Sequence, residues 1–127
     1  SGFTLIEVLV AITIFAIGLL AIAGMQVTGI RGNSTAHSVM AKVALADGVI
    51  EEFSAMTPDA AIVNADGTFN NWRTESVDGA GDLAADVVID DDPIISGITY
   101  TGLTQITVTV TGPQGADIVK TFMKRRN

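Results

Sequence analysis

Cysteine is absent from this chain of 127 residues. That excludes a disulfide framework, a thiolate zinc site and a cysteine nucleophile, and leaves the redox compartment open. Aromatic residues make up 6% and charged residues 17%. Basic residues are scarce, seven against fourteen acidic ones, for a net charge of −7. A protein that wraps nucleic acid needs a basic face, so no nucleic-acid partner is expected. The lone histidine, His37, offers no pair of imidazoles for a metal, and no Gly-x-Ser-x-Gly elbow occurs. His37 reads as a helix-surface residue, with neither cofactor nor enzymatic activity expected. Proline does not occur before Pro58, and no Lys or Arg precedes Arg31.

What the chain does have is one long apolar run. From Phe3 to Met25, 18 of 23 residues are hydrophobic. Roughly 20 such residues at ~1.5 Å each cross a ~30 Å hydrocarbon core, so the run is a transmembrane helix candidate. A secretory signal would be shorter in its apolar part and would follow positive charge. Glu7 is the only charge in the run. A carboxylate at membrane depth costs ~2.5–3.5 kcal/mol on insertion scales. Either Glu7 reaches the headgroups near the helix end, or it meets a positive group on another chain.

The residues Gly2-Phe3-Thr4-Leu5-Ile6-Glu7, followed by Val8-Leu9-Val10-Ala11-Ile12, resemble the start of type IV pilins and type II secretion pseudopilins. The resemblance covers about the first 30 residues. Two further stretches, Ile17–Gln26 and Leu103–Val110, are similar to minor pilins of the pilus modification type. The resemblance implies that a prepilin peptidase cuts between Gly2 and Phe3 and methylates the new amine of Phe3. Residues 1–2 then read as a leader remnant. Glu7 would pair with the Phe3 amine of a neighbouring subunit, and a cation and a carboxylate buried together avoid two separate desolvation costs. The implied partners are further copies in a helical filament, other pilins, the peptidase, and the inner-membrane assembly machinery. The implied location is the inner membrane before assembly and an extracellular filament afterwards.

The helical pattern continues past the greasy run. Val39, Met40, Val43, Ala46, Ile50 and Phe53 recur mostly at spacings of three and four, while Lys42, Asp47, Glu51 and Glu52 fall largely off that stripe. Thr57-Pro58 is a stop, because the residue before proline avoids helix. One helix over about residues 3–56 would span ~80 Å. Residues 3–30 are expected to cross the membrane or fill a filament core, and residues 31–57 to pack on the remainder. Gly18, Gly24, Gly29 and Gly32 interrupt the first half. They permit close helix packing, or they mark a stretch that unwinds during assembly.

Residues 58–127 are expected to form an acidic loop region and an antiparallel sheet. Residues 59–92 hold nine carboxylates against Arg73 and read mostly as loop, with Val87-Val88-Ile89 as a short strand. Asp78, Asp82, Asp86 and Asp90 recur every four residues but lack an Asp-x-Asp-x-Asp-Gly calcium loop, so they read as a solvated face. Ile106, Val108 and Val110 share one strand face, opposite Gln105, Thr107, Thr109 and Thr111. Gly112-Pro113-Gln114-Gly115 supplies a turn, and Asp117–Met123 returns alongside. The tail Lys124-Arg125-Arg126 reads as solvated, or as an ionic seam with the acidic region, including Asp90, Asp91 and Asp92, of the next subunit. The expected fold is α+β: a long N-terminal helix and a small antiparallel sheet packed on its second half. A single-pass anchored binding protein is a competing class, but it would need neither Glu7 nor a helix running so far past the membrane.

Overall fold

A computed structural model describes residues 2–58 and 60–126. Ser1 of the expected leader remnant and Asp59 of the acidic region lie outside the described residues. The order is one helix and six strands: α1 (Leu5–Ala55), β1 (Gly67–Val77), β2 (Gly81–Asp91), β3 (Ile94–Ile95), β4 (Ile98–Thr99), β5 (Leu103–Thr111) and β6 (Ile118–Arg125). Two compact units are resolved, residues 1–34 and residues 35–127.

In the first unit, α1 starts with a reciprocal cap. The Thr4 amide and hydroxyl both donate to Glu7 Oε2 at 2.9 Å, and the Glu7 amide donates back to Thr4 Oγ1 at 3.4 Å. Thr-x-x-Glu is the capping-box spacing, and it satisfies donors that a helix start leaves orphaned. The helix then runs without interruption through Gly18, Gly24, Gly29 and Gly32. A Cβ at any of these four glycines would meet open space.

The second unit is a four-stranded antiparallel sheet, ordered β1-β2-β5-β6, laid on the C-terminal half of α1. The core forms because strand alternation sends one side chain in two toward the helix. Leu83, Ala85, Val87 and Ile89 of β2 and Ile106, Val108 and Val110 of β5 face Leu45, Ala46, Val49 and Phe53 of α1. The opposite face of β5 carries Gln105, Thr107, Thr109 and Thr111, with Thr107 and Thr121 hydroxyls 3.1 Å apart. The sheet as expected over residues 98–123 is present, and so is the helix stop before Pro58.

Two expectations change here. Residues 67–77 and 81–91 are not loop but two paired eleven-residue strands. Asp, Ala and Gly disfavour strand locally, yet the burial of four β2 side chains overrides that preference. The Asp spacing of four is even, so Asp82, Asp86 and Asp90 share the outer strand face. The helix stripe also lies a little rotated from its expected position. The buried residues are Ser38, Lys42, Leu45, Ala46, Val49 and Phe53, whereas Met40 is 72% exposed.

An irregularity in β1 completes the core. Between Phe69, opposite Val87, and Arg73, opposite Ala85, the register shifts, and Asn71 takes a φ of 53°. The Asn71 amide is held by Asp86 Oδ1 at 2.7 Å. This bulge lets both Phe69 and Trp72 turn toward the helix, where Trp72 lies 4.9 Å from Phe53 and 5.9 Å from Phe69 between ring centroids.

Candidate functional site

The N-terminal unit is defined by what it does not bury. An 18-residue window of α1 is long and apolar enough to cross a membrane, and none of it is buried within the chain. Phe3 is 91% exposed, and Leu5, Ile6, Phe15 and Leu20 are exposed as well. Of Phe3, Phe15 and Phe53, only Phe53 is buried within the chain. Phe3, Glu7, Val8, Ala11 and Ile12 border a shallow groove. Glu7 is the only carboxylate on this surface, and its partner within the chain is Thr4, a neutral residue.

The second unit adds polar and charged contacts to its apolar core. Lys42 is fully buried. Its Nζ donates to the Ala116 carbonyl at 3.1 Å and the Gly115 carbonyl at 3.4 Å, while Ser38 Oγ donates to the Gln114 carbonyl at 3.0 Å. The two side chains lie four residues apart on one helix face and tie down the β5–β6 loop. Gly112 makes room for this: a Cβ there would come within 2.6 Å of Leu83 Cδ2 and 2.9 Å of Lys42 Cε.

Two of the three bases of the basic tail are engaged within their own chain. Lys124 Nζ donates to the carbonyls of Phe53, Ser54 and Met56, closing the C-terminal end of α1. A cation at that end satisfies orphan carbonyls and meets the negative end of the helix dipole. Arg126 pairs with Asp91 and Asp92. Asp92 also accepts from the Gly102 amide at 2.7 Å, and that bond, with the Arg126 guanidinium second, holds its carboxyl below the usual range. Arg125 and Asp90 remain exposed. Lys120 pairs with Asp47 of α1.

No metal set gathers: among the described residues, no three His, Asp or Glu side chains lie close enough together to hold an ion. His37 is exposed beside a cleft with Arg73 and Glu75.

Comparison with known proteins bears on the first unit. Residues 1–23 match the family described as the prokaryotic N-terminal methylation motif. The start of the chain is thus similar to prepilin-type processing segments, which supports a type IV pilin-like protein. No curated protein and no solved structure matches the chain.

Proposed function

We propose that this protein is a structural subunit of an extracellular type IV pilus-like filament. The observation that carries the reading is the methylation motif over residues 1–23, running directly into an apolar helix surface that the chain leaves uncovered. Such a surface is stable in lipid and equally stable against copies of itself, so one helix serves both the waiting subunit and the assembled one. Prepilin peptidase cleaves between Gly2 and Phe3 and methylates the Phe3 amine. During assembly Glu7 leaves its cap with Thr4 and pairs with that amine on the neighbouring subunit. Gly18, Gly24, Gly29 and Gly32 supply low helix propensity where the helix must adjust in the filament. The peptidase, the inner-membrane assembly machinery and other pilins are the partners. Glu7→Val leaves membrane insertion intact and abolishes incorporation; normal filaments from that variant would sink the role given to Glu7. A type II secretion pseudopilin shares this N-terminal chemistry. Long surface filaments, imaged and sized on cells, separate the pilus from that alternative, and subunit stoichiometry separates a major subunit from a minor, priming one.

A further inference from the structure

The second unit carries an apolar knob at one end and an apolar cleft at the other. The knob is the β3–β4 hairpin, closed by a two-residue turn in which Ser96 and Gly97 have φ of 54° and 80°. Positive φ at both positions is the tight hairpin turn whose twist matches the strands. Among the described residues β3 and β4 pair only with each other. Yet the hairpin is apolar: Ile94 is 69% exposed and Ile98 59%, with Ile95 and Tyr100 beside them. Its base is fixed, because Pro93 is buried, the Tyr100 amide bonds the Pro93 carbonyl at 3.0 Å, and Asp92 holds the Gly102 amide. A hairpin braced at its root and bare at its tip is built to present that tip.

The cleft, about 500 Å³ and open to solvent, lies between α1 and β1. Met40, Ala41, Ala44, Leu45 and Val77 form its apolar lining, with Arg73 and Glu75 at its rim. It sits against the 37–45 stretch of α1, whereas the hairpin follows the strand ends that Lys124 and Arg126 tie to residues 53–56 of α1 and to Asp91 and Asp92. Twelve or so helix residues separate the two levels, roughly 18 Å at ~1.5 Å per residue. One chain therefore cannot fill its own cleft with its own hairpin. Charge is present at both surfaces. Near the hairpin, Asp90 and Arg125 are exposed; at the cleft rim lie Glu75 and Arg73, the latter 3.9 Å from Glu52 of its own chain in a half-exposed pair that a second partner can share.

We infer that the β3–β4 hairpin of one copy seats in the α1–β1 cleft of a second copy of this chain. Because knob and cleft are different surfaces at opposite ends, the contact is heterologous and repeats without closing on itself. The identity of the occupant rests on the filament reading above; the fit of knob to cleft does not. Ile94 and Ile98 fill the apolar floor beside Met40, and Asp90 and Arg125 face Arg73 and Glu75 at the rim.

The absence of native cysteine makes the test specific. The full-length variant Met40→Cys/Ile98→Cys is treated with a short bismaleimide, both in sheared filaments and after detergent extraction. A ladder of dimers, trimers and higher species is expected from the double variant and from neither single variant. Adding Ile98→Asp in place of Ile98→Cys, with Ile94→Cys as the reporter, reduces the ladder at least tenfold. Asp90→Arg weakens it, and Arg73→Asp in the same chain restores it. Filaments without a ladder overturn the contact and leave the filament reading standing. A ladder in detergent from a chain that makes no filaments upholds the contact and counts against the filament reading. No ladder in either preparation, or dimers from Ile98→Cys alone, overturns the contact.

Discussion

The two halves of α1 differ in apolar content and are opposite in how that content is used. Over residues 5–30 every side chain is exposed within the chain; over residues 38–53 the helix buries one face under a sheet. The difference lies in periodicity. The first half is apolar all round, which no single sheet can cover, whereas the second has a polar side carrying Asp47, Glu51 and other charges. One continuous helix thus has an internal partner for one half and requires an external solvent, lipid or protein, for the other.

The sharpest way to break this comparison is to remove a phenylalanine from each half. Phe53→Ala empties a fully buried site beside Trp72 and is expected to destabilise the sheet unit by about 3–5 kcal/mol. The single tryptophan reports unfolding by fluorescence in denaturant titrations of the detergent-solubilised chain. Phe15→Ala, on the uncovered half, should change that same transition by less than about 0.5 kcal/mol. Equal effects would mean that the two halves are not divided as described.

A smaller effect is expected at Lys42. Lys42→Met keeps the apolar stem but leaves the Gly115 and Ala116 carbonyls without their donor, at a cost of about 2 kcal/mol. Amide exchange and protease cleavage should rise in residues 112–117 and not in β1–β2. A uniform loss of protection across the sheet would show that Lys42 supports the core rather than the loop.

The smallest effect concerns pH. The Asp92 carboxyl titrates below its ordinary value of 3.8, so the folded state prefers it ionised. Its stabilisation is fully present above 3.8 and is lost as pH falls through the lower native value. An acid titration followed by Trp72 fluorescence should show the wild type losing stability in that range, and Asp92→Asn losing less there. Identical acid profiles would remove Asp92 from the linkage.

Much of this was legible in the residues. The greasy run, Glu7, the Thr57-Pro58 stop and the alternation of β5 each state their structure locally. β2 did not, because Ala84 and Val88 put apolar residues on its outer face and blur the alternation of Leu83, Ala85, Val87 and Ile89. The β1 bulge inserts residues that no period predicts. Lys42 reads as off the apolar stripe because a charge ordinarily seeks water; its ammonium instead meets two carbonyls supplied by a loop more than 70 residues away. The cap at Thr4 has a local signature, Thr-x-x-Glu, whose glutamate also carries the one charge of the apolar run. Long-range pairing within the chain, such as Arg126 with Asp91 and Asp92, has no local signature at all.

The outermost strands carry one more consequence. An open strand edge pairs with almost any other strand, and copies held close together, as the proposed function requires, would meet edge to edge long before they met correctly. On β6 the inward-turned Lys120 and Lys124 would bring buried charge into any such pairing, and on β1 the bulge at residues 70–72 breaks the ladder. Both flanks of the sheet therefore refuse backbone pairing, so recognition between copies is left to side chains, which can discriminate.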